Sequence, residues 1–188
     1  MSYPHILIKM ITEKNRIPLK LTIELVPSTV WYSSIYQYYK KSNNLQQWHE
    51  IKKELYAKEG THCWICKKTS KPLQAHEFWE YDDVNRIQKL SAIHHLCGFC
   101  HKIKHIGLWL HAFDGERMLK KERLTKQDII DHFCDVNRCS EKEFQKHEDE
   151  AFILWKERSE HKWKQDFGKY DPLLYKRKQE NLSLKNFT

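Results

Sequence analysis

The sequence predicts an α+β protein, and three features of its 188 residues carry this prediction. Residues 19–25 alternate apolar and polar side chains, as expected of a strand with one buried face. In the middle of the chain, two Cys-x-x-Cys pairs bracket a second alternating segment. Beyond them, apolar residues recur at helical spacing behind two N-capping signals. Because there is no internal repeat and no long low-complexity linker, we expect one domain with appended helices.

Residues 1–59 are predicted to form strands, an aromatic segment and a helix. The strand over residues 19–25 lies between two prolines that cannot donate to a central ladder, and residues 6–11 are a weaker strand candidate. Residues 46–59 place apolar side chains on one helical stripe, and Gly60 supplies the stop signal. We expect this region to act as a scaffold.

The aromatic segment, residues 28–41, allows two interpretations. Its aromatic residues are Trp31, Tyr32, Tyr36, Tyr38 and Tyr39. Aromatic side chains next to lysines can stack on nucleobases and hold phosphates. The same side chains can instead pack on the following helix. We expect packing, because large aromatic residues are usually buried.

Residues 111–172 are predicted to form a helical extension. Thr125 is an N-cap candidate, and Ser140 with Glu143 forms a capping box that opens a long helix. The apolar stripe of this long helix predicts a docking face, through which a protein partner could also bind. Residues 173–188 form a basic, polar tail.

Composition and charge favour a globular protein with a polyanionic partner. The chain is 40% hydrophobic with five Gly and five Pro, which argues against extensive disorder. Lys and Arg outnumber Asp and Glu by 33 to 25, and this net charge of +8 suits nucleic acid, although a solvated basic surface would explain it too. No secretory signal or membrane-spanning apolar stretch occurs. We therefore expect a cytoplasmic protein in a reducing compartment, without membrane contact.

Four cysteines predict a structural zinc site. They are Cys63, Cys66, Cys97 and Cys100, arranged as two Cys-x-x-Cys knuckles. In a reducing compartment such knuckles indicate metal ligands, and structural zinc binds four thiolates tetrahedrally. The alternative is four unrelated buried cysteines, which the paired spacing disfavours. We expect Cys134 and Cys139, outside the knuckles, to be ordinary thiols.

Three histidines predict a second, open metal site. His101 and His105 are four residues apart, on one face of a helix that starts at the second knuckle. His76 lies on an alternating segment that suggests a hairpin strand. If the strand pairs near the helix, the three imidazoles can hold an ion with positions left for water and phosphate. Alternatively, they are surface residues or substitute ligands of the thiolate site.

The central segment, residues 60–110, carries a family resemblance. It contains C-x-x-C, a strand with a His-Glu pair, and L-C-x-x-C-H. This pattern resembles the HNH endonuclease family. The sequences H-E-F-W-E-Y-D-D from His76, Q-K-L from Gln88 and C-H-K-I-K-H from Cys100 are similar to a bacterial and phage HNH-like subgroup. The likeness extends over most of the chain and implies a zinc-stabilised ββα-metal core.

The resemblance also implies roles for individual residues. It places His76 and His101 on metal-ligand positions and His105 on a further ligand position that some members use. Glu77 falls on the position of the general base, which is usually a histidine in this family. The ion implied there is divalent, such as Mg²⁺, Mn²⁺, Ni²⁺ or Zn²⁺.

The family pattern is not complete in this sequence. The asparagine that orients the base falls on Ala92, and Gln88 and Asn85 are the nearest substitutes. A second register would make His76 the base and put Ala75 at the ligand position. We prefer the first register because it keeps three imidazole ligands.

The resemblance implies a metal-dependent endonuclease that hydrolyses phosphodiester bonds. His76, Glu77 and His101 form the expected catalytic set, and Lys102 and Lys104 are expected to bind the nucleic-acid backbone, DNA in preference to RNA. Because the catalytic set is altered, the alternative is a non-cleaving zinc-stabilised module that binds nucleic acid or acts as an inhibitory protein-interaction domain.

Overall fold

The computed structural model describes residues 18–171 together with residues 173 and 174. The helices are α1 (Ile35–Lys41), α2 (Leu45–Glu59), α3 (Gly98–Lys104), α4 (Gly115–Lys121), α5 (Lys126–Asn137) and α6 (Glu141–Ser159). The strands are β1 (Gln74–Asp82), β2 (Ile87–Leu96) and β3 (Lys164–Asp166). Short 3-10 turns cover Ser28–Val30 and Gly168–Tyr170, and a π-helical turn covers Gly107–His111. The predicted α+β class is confirmed for this part of the chain.

Residues 19–25 form no strand, so that prediction is wrong. The alternation does describe burial, since Leu21 and Ile23 lie in the core. The Asn137 side chain accepts from the Leu21 N–H at 3.0 Å and donates to the Leu21 carbonyl at 2.9 Å. His147 Nε2 accepts from the Ile23 N–H at 2.9 Å. Helix side chains thus pair backbone groups that a neighbouring strand would have paired. The candidate strand at residues 6–11 lies outside the described residues.

The described residues form one sheet with the order β1-β2-β3. β1 and β2 make an antiparallel hairpin, whose turn is held by the Asp82 carboxylate, the acceptor of two backbone N–H groups. The pairing shifts between Phe78 and Trp79, where Ser91 is the extra residue of a bulge. β3 runs parallel to β2. Because β3 belongs to residues 111–172, the predicted helical extension also contributes a strand.

The hairpin separates two apolar clusters, since successive side chains of a strand point to opposite faces. The cluster against α1 and α2 comprises Ile35, Tyr39, Trp48, Leu55, Leu90 and Ile93. The larger cluster, against α3, α5 and α6, includes Leu21, Ile23, Leu96, Ile103, Ile129, Phe133 and Phe144. One side of the hairpin is therefore covered by the N-terminal helices and the other by α3, which α5 covers in turn with α6 packed on α5.

The predicted helix boundaries at capping signals are confirmed. Thr125 and Ser140 each accept a hydrogen bond from the backbone N–H three residues on, and the acidic side chain there returns a bond to the cap. α2 ends at Gly60, whose φ of +64° suits glycine. Within residues 18–171 and 173–174, no helix has both the length and the apolar composition needed to cross a membrane.

The aromatic segment is divided between core and surface. Tyr39 is fully buried, and its ring centroid lies 6.3 Å from that of Trp48 on α2, as the packing interpretation predicts. Trp31, Tyr32 and Tyr36 instead remain exposed. Packing therefore accounts for only part of this segment.

Candidate metal centres

The two cysteine knuckles are held by local backbone bonds and by the hairpin. In the first knuckle, the Lys67 N–H donates to the Cys63 carbonyl at 3.0 Å, with Lys67 in the left-handed region at φ +61°. The Trp64 N–H donates to the His95 carbonyl at 2.8 Å, which ties this knuckle to β2. In the second knuckle, Cys97 is the N-cap residue of α3. The sequence thus folds both knuckles onto the C-terminal end of β2.

The four knuckle cysteines converge on one point. Their Sγ atoms all lie within 4.8 Å of one another, and the thiols are free. Cys66 Sγ lies 3.8 Å from Cys97 Sγ, close to the edge of about 3.8 Å expected for a tetrahedron with Zn–S bonds of about 2.3 Å. Hydrogen bonds from Cys100 and Cys97 hold the pKa of Cys63 far below its usual range. This cluster could bind zinc through four thiolates.

His132, a residue outside the knuckles, contacts one of the four cysteines. His132 Nε2 on α5 lies 3.3 Å from Cys100 Sγ, and the His132 ring stacks on Phe99 with centroids 5.0 Å apart. Burial lowers the pKa of His132, so the ring is neutral near pH 7 and its Nε2–H tautomer can donate to a thiolate. Sequence reasoning missed this contact. The only local signal was a polar ring beside the buried Phe133 on an amphipathic helix.

The three predicted imidazole ligands also meet. His101 lies on α3, His105 is its C-cap, and His76 lies on β1 facing that helix. The ring centroid of His76 lies 5.2 Å from that of His101 and 5.0 Å from that of His105. One ring nitrogen from each of the three lies within 4.8 Å of the others. The pairing of strand and helix assumed from the sequence is therefore observed.

The environment of this triad keeps the imidazoles neutral. Burial is the main cause, and neighbouring His and Lys side chains act in the same direction. The pKa of His76 falls well below its ordinary 6.5, that of His101 falls to about 3, and that of His105 is lowered too. Neutral imidazole is the form that binds metal, so the triad could bind a metal ion.

Glu77 follows His76 on β1 and lines the same cleft as the triad, with its carboxylate directed toward the start of α1. Its carboxylate accepts a hydrogen bond from the Ile35 N–H at 2.8 Å, and the Tyr36 N–H and the Trp79 side chain also act to lower its pKa. It therefore caps α1 together with Ser34, whose hydroxyl accepts from the Gln37 N–H. Burial outweighs these hydrogen bonds and raises the pKa of Glu77 to about 7. A carboxylate with this pKa can exchange a proton near neutral pH.

The triad and Glu77 open into the same cleft. The cleft has a volume of about 330 Å³ and runs along β1, the edge strand of the sheet. Its lining consists of Glu24, Val26, Ser34, Tyr36, Trp48, Ala75, His76, Glu77, Trp79, Tyr81, His101 and His105. A small ligand in this cleft could contact both the imidazoles and the carboxylate.

The residues considered as substitutes for the orienting asparagine are engaged elsewhere. Gln88 is fully buried, and its side-chain amide donates to the Tyr81 hydroxyl at 2.9 Å. The side-chain amide of Gln165 donates to Gln88 Oε1. Asn85 donates to Asp82 at the hairpin turn. The structure thus brings neither amide to Glu77. The backbone N–H of Ile35 holds that carboxylate instead.

Lys102 and Lys104, which are predicted to bind a nucleic-acid backbone, are buried and paired with acidic side chains. The two residues are 5% and 2% exposed. Lys102 Nζ pairs with Glu122 at 2.6 Å, and Lys104 Nζ pairs with Glu24 at 2.6 Å. Both lysines are directed into the protein, because acidic partners from distant segments neutralise them there. Sequence proximity to His101 gave no sign of these partners.

Comparison of the chain with protein-family models, with curated proteins and with solved structures gives no match.

Proposed function

We propose that the protein is a metal-dependent hydrolase of phosphodiester bonds with an HNH-like ββα-metal centre. The observation that supports this most directly is the convergence of His76, His101 and His105 beside Glu77 in one cleft. The order β1, β2, α3, with ligands on β1 and α3, matches the element order that the resemblance implies. The four-cysteine cluster at the start of α3 would hold this unit together as a zinc clamp.

The histidines and Glu77 would have different roles in hydrolysis. His76, His101 and His105 would hold a divalent ion, which would polarise the scissile phosphate and stabilise the leaving oxygen. Glu77 would take the proton from the attacking water, since its pKa of about 7 is suited to general-base catalysis near neutral pH. The hydrogen bond from the Ile35 N–H at 2.8 Å would hold that carboxylate in place.

A non-cleaving module is the second candidate, and one observation favours it. The Glu77 carboxylate already caps the first turn of α1, so it has a structural role without any catalysis. In that case zinc would stabilise a domain that binds nucleic acid or a protein partner. Such a domain would bind without turnover and would carry one metal ion per chain.

The test is cleavage by purified zinc-loaded protein supplied with Mg²⁺, Mn²⁺, Ni²⁺ or Zn²⁺. Supercoiled plasmid and circular single-stranded DNA are both offered, so that the result does not depend on strandedness. We expect cleavage by the wild type and its loss in His101→Ala, which removes one imidazole ligand. His49→Ala is the matched control, because His49 is exposed on α2 and does not line the cleft.

Metal content separates the two candidates independently of activity. The hydrolase predicts a second ion per chain, lost in His101→Ala but kept in His49→Ala. If neither DNA is cut with any of the four ions and elemental analysis finds one zinc in every variant, the hydrolase proposal is wrong.

A further inference from the structure

Three aromatic residues of the segment 28–41 remain exposed, and two of them lie close to the triad or line its cleft. We call Trp31, Tyr32 and Tyr36 the aromatic rim. Their exposed fractions are 40%, 81% and 39%, whereas Tyr39 of the same segment is fully buried. Large apolar side chains grouped at the surface mark binding sites more often than single ones do. The rim is therefore a candidate contact surface.

The rim adjoins the proposed metal ligands. The Trp31 ring meets the His105 ring edge-on, with centroids 6.5 Å apart. Tyr36 lines the cleft, and its ring lies 5.9 Å from that of Trp48, which also lines it. A polymer that enters the cleft would therefore meet aromatic side chains near the triad.

The charges around the cleft do not suit a double helix. Lys102 and Lys104 are already paired with acidic side chains, and the Glu24 carboxylate lines the cleft itself. Duplex binding depends mainly on Lys and Arg contacts to phosphates, and its bases stay stacked on one another. Lys40 is exposed and lies one helical turn beyond Tyr36, where it can meet a phosphate beside a stacked base.

We propose that the nucleic acid bound at this site is single-stranded, with unpaired bases stacked on the aromatic rim. Stacking on aromatic side chains depends little on nucleotide sequence, and any unpaired base can take part in it. This inference rests on the proposed function for the identity of the ligand class. It adds the strandedness of the substrate and the residues that select it.

The test measures binding rather than cleavage. His101→Ala protein prevents turnover, and fluorescence anisotropy follows a labelled 20-nucleotide single strand of mixed sequence and its blunt duplex. We expect the single strand to bind at least tenfold more tightly. Trp31→Ala and Tyr36→Ala, each introduced into that background, should each weaken single-strand binding about tenfold, the loss of one stacked base. Trp31→Phe, which keeps an aromatic face, should restore most of it.

Tyr56→Ala is the matched control. Tyr56 is 43% exposed on α2, close to the 39% of Tyr36, but does not line the cleft. We expect it to bind both probes as the parent does, and thermal melting will check that each variant is folded. Equal or tighter binding of the duplex would overturn the inference. So would folded Trp31→Ala and Tyr36→Ala proteins that bind like Tyr56→Ala.

The two proposals fail in different ways. Rim-dependent binding of single strands by a protein that never cleaves would support this inference and overturn the hydrolase. Metal-dependent cutting of duplex that the rim variants leave unchanged would overturn this inference and leave the hydrolase standing.

Discussion

Replacing Glu77 by glutamine separates the structural role of this side chain from its proposed chemical role. The Glu77→Gln side chain keeps its shape and a carbonyl oxygen that can accept from the Ile35 N–H, so the cap on α1 is retained. It cannot bind or release a proton. The variant should therefore fold like the wild type while losing the titration at this position.

The sign of the effect on stability follows from the raised pKa. The pKa is about 7 in the folded protein against an ordinary 4.5. The folded state therefore holds the proton more tightly than the unfolded state. As pH rises from about 4.5 to about 7, the unfolded carboxyl ionises first, so the free energy of unfolding falls and stays lower above that window. One pKa unit corresponds to about 1.4 kcal/mol, which gives a loss of up to ~3 kcal/mol.

The assay is urea unfolding followed by tryptophan fluorescence at about pH 5.5 and pH 8.5, with zinc bound and no other divalent ion added. We expect the stability of Glu77→Gln relative to wild type to increase between these two conditions by up to ~2 kcal/mol, because about one unit of the window between the two pKa values lies below pH 5.5. Glu80→Gln is the control, since Glu80 is exposed on the same strand. If the stability of Glu77→Gln has the same pH dependence as that of the wild type, the pKa of Glu77 is not raised in the folded protein.

The same variant tests the proposed base. Loss of a general base costs roughly 10²- to 10⁴-fold in rate, so cleavage by Glu77→Gln should fall by that factor although the protein gains stability at alkaline pH. Glu80→Gln should cleave like the wild type. Full activity in Glu77→Gln would exclude Glu77 as the base while leaving the metal centre untested.

Three further predictions concern the zinc cluster and the buried lysine. Cys66→Ser should lose zinc and cooperative unfolding, because binding energy at a structural zinc site is folding energy; retention of one zinc would contradict the four-thiolate site. His132→Phe should weaken zinc binding roughly 10- to 100-fold in chelator competition, because it removes the contact at 3.3 Å to Cys100 Sγ; unchanged affinity would mean that the contact does not support the site. Lys104→Met should leave the slope of log affinity against log salt unchanged for a nucleic-acid probe, because Lys104 is paired with Glu24; a slope reduced by about 1 would reveal a phosphate contact.

The parts of the fold that depend on neighbouring residues were predictable from the sequence. A capping box requires only a hydroxyl and a carboxylate three positions apart, so Ser140 and Glu143 fix the start of α6. A Cys-x-x-Cys knuckle is equally local. His101 and His105 share a helical face by their spacing alone. Each of these expectations agrees with the structure.

The parts that depend on distant partners were not predictable in the same way. Alternation over residues 19–25 reports a buried face, but it does not say that Asn137 rather than a strand pairs the backbone. β3 is only three residues long and has no pattern of its own. Lys104 forms its ion pair with Glu24, which lies 80 positions away in the chain. Local motifs can therefore predict which candidate ligands come together, but they give no sign of the distant acidic side chains that pair with the lysines.

Anomalous diffraction from crystals of zinc-loaded protein soaked in Mn²⁺ tests the central claim most directly. Data collected around the zinc and manganese absorption edges distinguish the two ions. We expect zinc among Cys63, Cys66, Cys97 and Cys100, and manganese within bonding distance of one ring nitrogen from each of His76, His101 and His105. Zinc at the cysteines with no metal peak among the three imidazoles would contradict the account.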